Sequence, residues 1–142
     1  MAGSLGFGAE EILDLIEHSP RKEDIQVLGY VSDAVLETLY SRASVFAFPS
    51  LDEGFGMPLL DAMAREVPVI TSNTSAMPEV AGDAALLVNP IDVAAISEGL
   101  KELTDDEALR QELALKGLKR SSEFAWEAAA EQTWKVYQEL FR

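Results

Sequence analysis

Short apolar segments alternate with segments of helical periodicity along this chain of 142 residues, and no other feature restricts the fold as strongly. The apolar segments lie at residues 25–30, 45–49, 67–71 and 84–88, and each predicts a β-strand. Strands that alternate with helices assemble into a parallel sheet through right-handed crossovers. We therefore predict an α/β fold with an incomplete parallel sheet of about four strands, flanked by helices and followed by C-terminal helices.

The segments around these strands have the apolar spacing and the capping residues of helices. Helices are predicted at residues 9–18, 34–42, 58–65, 92–103, 105–119 and 123–141, with a short helical turn at 77–81. Asp105 is the predicted N-cap of the helix at 105–119, and Ser121 or Ser122 is the predicted N-cap of the last helix. Pro68 indicates that the third strand begins near that residue or lies at an edge of the sheet.

The segment between the second predicted strand and the helix that follows it is the part of the chain that points to chemistry. It contains a glycine loop formed by Glu53, Gly54, Phe55 and Gly56. The loop follows the carboxyl end of a strand, which is where ligands bind in open α/β sheets. Glycines permit close approach to the backbone, amides at the helix start can face an anion, and Glu53 can accept hydrogen bonds from hydroxyls. This pattern suits a phosphorylated ligand with hydroxyl groups, but a tight turn in which Glu53 only favours the helix N-terminus also explains it.

Asp61 is a second candidate, because it lies eight residues after Glu53 on the helix that follows the loop. From there a carboxylate can hydrogen-bond a ribose diol of the same ligand. A solvated helix acid explains its position equally well.

The composition of the chain argues against several classes of function. The net charge of −14, from 25 acidic and 11 basic residues, disfavours nucleic acid and anionic lipid surfaces as partners. With no cysteine and one histidine, we predict no metal site and no cofactor. The spacing of Gly3, Gly6 and Gly8 differs from that of dinucleotide-binding loops, so we do not predict a dehydrogenase. The glycine loop has no cation nearer in sequence than Arg65, so a bound diphosphate would depend on backbone amides or on cations outside this chain.

Several motifs occur in an order that resembles a known family. They lie at residues 27–31, 47–50, 53–58, 68–72 and 78–88. Together they resemble the C-terminal, donor-binding domain of the group 1 (family 4) retaining glycosyltransferases, which have the GT-B fold. The resemblance runs from about Gly3 to the end of the chain and implies that the predicted sheet is Rossmann-like.

The resemblance implies transfer of a hexose from a nucleotide-sugar donor to an acceptor, with retention of anomeric configuration and without a required metal. The paired acids of the family fall on Glu53 and on Asp61, where the family usually has a glutamate that is one methylene longer. By resemblance, Glu53 is catalytic and holds the donor sugar with Gly54, Phe55 and Gly56; the backbone of Met57 and Leu59 meets the diphosphate; and Asp61, Tyr30 and Val31 bind the nucleoside.

The resemblance also implies that the chain is one part of a longer protein. In the family, a Gly-Arg segment and a following lysine neutralise the diphosphate, two more strands complete the sheet, and a separate domain binds the acceptor. We expect these parts to lie outside the chain, which alone should then have negligible transferase activity. The parent enzyme is expected to be cytoplasmic, with any contact to a membrane surface made by parts outside this chain. An incomplete sheet also predicts that copies of the chain can form a homo-oligomer.

Two alternatives remain open. The chain could be a non-catalytic nucleotide-binding or assembly module that keeps the glycine loop for folding, or part of an epimerase or phosphorylase of the same fold. Titration of the wild type and of Glu53→Gln with nucleoside diphosphates would separate the module from the transferase. The sequence predicts neither the sugar, the base, the acceptor nor the linkage formed.

Overall fold

The computed structural model describes residues 1–6 and 8–141, and the chain divides into two compact units, Met1–Leu39 and Tyr40–Arg142. The first unit contains helix α1 (Ala9–Glu17), a 3-10 helix (Lys22–Asp24) and most of helix α2 (Asp33–Arg42). Both α-helices lie where the apolar periodicity predicts them.

The strand predicted at residues 25–30 is not present, so this prediction is wrong. The backbone there runs beside the first residues of the chain, with Leu28 N–H donating to Met1 O at 2.9 Å and Gly3 N–H donating to Gly29 O at 2.8 Å. Gly29 has a φ of +63°, which ends the extended conformation after too few pairs to make a strand. The described residues therefore contain three strands rather than about four.

The second unit is built on a parallel sheet in the order β1-β2-β3. The strands are β1 (Phe46–Phe48), β2 (Val69–Ser72) and β3 (Ala85–Val88), at the positions of three predicted strands. Every residue of β2, the central strand, is buried. By contrast, β1 is an edge strand and Ala47 is exposed, although its apolar sequence predicts a strand covered on both faces. Pairing of copies through an incomplete sheet stays a prediction.

Five helices complete this unit: α3 (Met57–Met63), α4 (Met77–Ala81), α5 (Val93–Asp105), α6 (Glu107–Ser122) and α7 (Trp126–Leu140). The crossover from β1 to β2 contains α3, and that from β2 to β3 contains α4. Glycines allow two of the other helices to pack closely. A Cβ atom on Gly99 of α5 would lie 2.8 Å from Ile70 Cδ1, and one on Gly117 of α6 would lie 3.0 Å from Met63 Cγ. These contacts hold α5 against the sheet and α6 against α3.

The predicted N-caps of the last two helices are wrong. Asp106, not Asp105, caps α6, because its carboxylate accepts a hydrogen bond from Leu109 N–H at 2.9 Å. Ser121 and Ser122 belong to α6 and donate their hydroxyls back to carbonyls of that helix. The last helix follows Ala125, which makes no side-chain cap. A boundary between adjacent helices depends on where the chain turns, so a choice between neighbouring polar residues is difficult from sequence.

The last helix, α7, has no buried residue. Its apolar side chains are exposed, including Trp126 (77%), Trp134 (61%) and Phe141 (87%), the last of which directly follows the helix. The described part of the second unit therefore does not cover the apolar face of α7.

Candidate functional site

The glycine loop lies at the carboxyl end of β1, between Phe48 and the first residue of α3. Its last residue, Gly56, is buried and has a φ of +99°, a conformation that L side chains rarely adopt. A Cβ atom there would also lie 2.5 Å from Met77 Cε. The backbone conformation requires glycine, and the absence of a Cβ atom lets the loop lie close to Met77 of α4.

Glu53 is partly buried within the loop, and its carboxylate is held at one oxygen. Ser50 Oγ donates to Glu53 Oε1 at 3.2 Å. Within residues 1–6 and 8–141, no cation forms an ion pair with this carboxylate. The side chain thus combines a defined orientation with unused capacity to accept hydrogen bonds.

A residue of the loop directly after β2 forms hydrogen bonds with the backbone of Glu53. Ser75 Oγ accepts a hydrogen bond from Glu53 N–H at 3.1 Å and lies 2.8 Å from Glu53 O. The same hydroxyl lies 2.7 Å from Asp52 Oδ1. Sequence reasoning missed Ser75. The only available signal was the run of polar residues directly after the third predicted strand, at the carboxyl edge of a parallel sheet.

Asp61 lies on α3 and is already engaged with a cation. Arg65 Nη1 donates to Asp61 O at 2.6 Å and lies 3.8 Å from Asp61 Oδ1. The Arg65 guanidinium also lies 5.4 Å from the ring centre of Tyr40. Burial raises the pKa of the Tyr40 phenol above its usual value, and the negative charge of Asp61 raises this pKa further. The positive charge of Arg65 acts in the opposite direction and lowers the pKa of Tyr40. Arg65, the cation nearest in sequence to the glycine loop, is thus committed to contacts within α3 and with Tyr40.

The predicted diphosphate residues, Met57 and Leu59, occupy the first turn of α3. Leu59 is fully buried, and its N–H donates to Gly56 O at 3.0 Å. A phosphate oxygen would have to share this amide with Gly56 O. The roles of Met57 and Leu59 stay predictions.

The predicted nucleoside residues divide between the two units. Tyr30 and Val31 lie in the first unit, in the segment that leads into α2, and Tyr30 is 82% exposed. Asp61 and all of the predicted sugar and diphosphate residues lie in the second unit, within the loop and α3.

An aromatic contact connects the glycine loop to the residues that follow α6. The rings of Phe55 and Phe124 meet edge to face, with centroids 5.8 Å apart. The guanidinium of Arg120 lies 4.7 Å from the centre of the Phe124 ring. Arg120 also donates to Val80 O at 3.0 Å and to Glu79 O at 2.6 Å, so it satisfies carbonyls at the end of α4.

Because Arg120 satisfies these carbonyls, Arg120→Met is expected to lower the free energy of unfolding by about 2 kcal/mol. Urea denaturation followed by circular dichroism measures the change. Lys119→Met is the matched control, since Lys119 is an exposed cation on the same turn of α6. Equal midpoints for the two methionine variants would contradict a structural role for the arginine.

Among the described residues, no group of three or more histidine, aspartate or glutamate side chains is placed to hold a metal ion. None of the described helices has the length and the apolar character needed to cross a membrane.

Most of the chain matches a known protein family. Residues 2–120 match the family described as "Glycosyl transferases group 1". The O-antigen chain mannosyltransferase B of Escherichia coli is 39% identical over 140 residues, which cover 99% of this chain and 37% of that protein. This chain thus spans well under half the length of that relative.

Two solved structures resemble the chain closely. Sucrose-phosphate synthase from Thermosynechococcus elongatus superposes with a TM-score of 0.85 and 29% identity, over 98% of this chain and 37% of that chain. The C-terminal domain of a glycosyl transferase group 1 family protein from Francisella tularensis superposes with a TM-score of 0.71 and 27% identity, over 81% of this chain and 60% of that chain. These similarities confirm the predicted fold class.

Proposed function

The chain belongs to the group 1 glycosyltransferases and has the architecture of their C-terminal, GT-B-type domain, and from this we propose that it binds the nucleotide-sugar donor of a retaining hexosyltransferase. The observation that carries the proposal is the partly buried Glu53 carboxylate, oriented by Ser50 and unpaired with any described cation, in a glycine loop at the carboxyl end of β1. The hydroxyls of a sugar are neutral hydrogen-bond donors, and such a carboxylate can accept hydrogen bonds from them.

The proposed roles run from the sugar, through the diphosphate, to the nucleoside. Glu53 accepts hydrogen bonds from the donor sugar, and the glycines beside it let the sugar approach the backbone. The amide of Met57 meets the diphosphate at the start of α3. Asp61 binds the ribose, and its partial engagement by Arg65 orients the carboxylate. A role for Tyr30 and Val31 in binding the base stays a prediction.

The parent enzyme transfers the sugar to an acceptor bound elsewhere and acts in the cytoplasm. The glycine loop has no arginine or lysine, and Arg65, the nearest cation in sequence, is engaged with Asp61 and Tyr40, so neither supplies a free cation to a leaving diphosphate. The chain alone is therefore expected to bind a donor without turning it over at a significant rate.

The proposal is tested by isothermal titration of the 142-residue chain with paired ligands: GDP and GDP-mannose, UDP and UDP-glucose, ADP and ADP-glucose. Mannose is included because the Escherichia coli relative is a mannosyltransferase. One nucleotide sugar is expected to bind more tightly than its own nucleoside diphosphate. Absence of binding to all six ligands would contradict a donor site, and equal affinity within every pair would favour a non-catalytic nucleotide-binding module.

A further inference from the structure

Ser75 combines an unfavourable backbone conformation with contacts to the candidate sugar-binding loop. Its φ is +56°, and among the described residues it shares a positive φ with only one other non-glycine residue, Glu66. A left-handed conformation at a residue with a Cβ atom carries an energetic cost. Such a cost persists where surrounding contacts hold the residue, and for Ser75 these contacts come from the loop after β1.

The Ser75 hydroxyl contacts both backbone polar groups of Glu53. The Ser75 hydroxyl accepts from Glu53 N–H at 3.1 Å, and its single proton faces two acceptors, Asp52 Oδ1 at 2.7 Å and Glu53 O at 2.8 Å. One side chain therefore meets both the amide and the carbonyl of Glu53 as well as the preceding carboxylate. With both polar groups of this residue contacted, rotation of the peptide units on either side of Glu53 is restricted.

The sheet register explains why these two loops meet. Phe48, the last residue of β1, is paired in parallel with Thr71 of β2, so both strands end at the same edge. Thr71 Oγ1 also donates to Phe48 O at 2.8 Å, which joins the two strands where β1 ends. The loop after β2 thus lies against the loop after β1, although Ser75 and Glu53 are 22 residues apart in sequence.

We propose that Ser75 is a positioning residue for the donor sugar: it fixes the backbone of Glu53 so that the Glu53 carboxylate faces the sugar hydroxyls. Ser75 acts through Glu53 and does not itself contact the ligand. This inference rests on the proposed function, since it requires that Glu53 bind the sugar. A role of this kind affects binding of the sugar part of the donor more than binding of the nucleoside diphosphate.

The test uses Ser75→Gly, which removes the hydroxyl and accepts the positive φ without strain. Glu66→Gly is a matched control, because it makes the same backbone change at the other non-glycine residue with a φ of +56°. For the nucleotide that binds the wild type, the ratio between the Kd of the nucleoside diphosphate and the Kd of its nucleotide sugar is measured. Ser75→Gly is expected to lower this ratio about tenfold, and Glu66→Gly is expected to leave it unchanged.

Hydrogen exchange without ligand tests the structural half of the inference separately. The amide of Glu53 is expected to exchange faster in Ser75→Gly than in the wild type or in Glu66→Gly. Unchanged exchange, or equal weakening of the binding of the nucleoside diphosphate and of the nucleotide sugar, would overturn the positioning role.

A wild type that binds no nucleotide sugar would overturn the proposed function and this inference with it. A wild type whose sugar preference depends on Glu53 but not on Ser75 would overturn this inference alone.

Discussion

Glu53→Gln is expected to remove most of the preference for nucleotide sugar over nucleoside diphosphate and to lower transfer by the complete enzyme at least about a hundredfold. Glutamine has the shape of glutamate, but it lacks the negative charge that strengthens hydrogen bonds from sugar hydroxyls. The fold should tolerate the change, because the Glu53 carboxylate has no ion pair with a described residue and Ser50 can still donate to the amide oxygen. Isothermal titration and initial-rate kinetics measure the two effects.

Glu98→Gln serves as the control for Glu53→Gln, because it makes the same chemical change on an exposed turn of α5. Both variants should unfold at the same temperature as the wild type. If Glu53→Gln keeps sugar preference and transfer rate within a factor of about three, the carboxylate does not bind the sugar in the way proposed.

Gly56→Ala is expected to lower the free energy of unfolding by about 2–4 kcal/mol and to abolish donor binding. The new methyl group would stand 2.5 Å from Met77 Cε, on a residue with a φ of +99°. Movement of the Met77 side chain can relieve the contact, but it cannot relieve the backbone strain. The first turn of α3 and the loop are therefore expected to shift together.

Gly54→Ala is the matched control for Gly56→Ala, because Gly54 lies in the same loop and has no positive φ. A methyl group added at Gly54 would enter open space, with no atom beyond its chain neighbours within 4 Å. Thermal denaturation of both variants compares their stability, and titration of Gly56→Ala with the nucleotide sugar measures the loss of donor binding. A similar loss of stability in the two alanine variants would show that Gly56 is not required for the reason given.

The strands that could be predicted from sequence are those that pair along their length in the sheet of the second unit. Apolar runs at β1, β2 and β3 mark segments that must leave water, and the predicted positions agree closely with the structure. The segment at residues 25–30 has a similar composition, but its few backbone pairs and the φ of +63° at Gly29 prevent a strand. Hydrophobicity alone does not distinguish a segment that pairs extensively from one that does not.

The residues of the candidate site also divide into those that a local pattern identifies and those that only distant contacts reveal. Glu53 and Gly56 could be identified because a carboxylate and glycines between a strand and a helix form a local pattern. Ser75, Phe124 and Arg120 could not, because each acts across contacts with residues far away in sequence. No periodicity or short motif connects Ser75 to Glu53 or Arg120 to the carbonyls at the end of α4.

The sequence by itself determined the alternation of strands and helices, the location of the glycine loop and the residue types it offers to a ligand. These properties follow from local preferences: apolar runs form buried strands, and glycine adopts conformations that other residues avoid. Only the tertiary structure decided that Ser75 holds the backbone of Glu53 and that Arg65 lies over the ring of Tyr40. The register of β1 on β2 brings two loops to one edge, and hydrogen bonds there depend on distances that the order of residues does not specify.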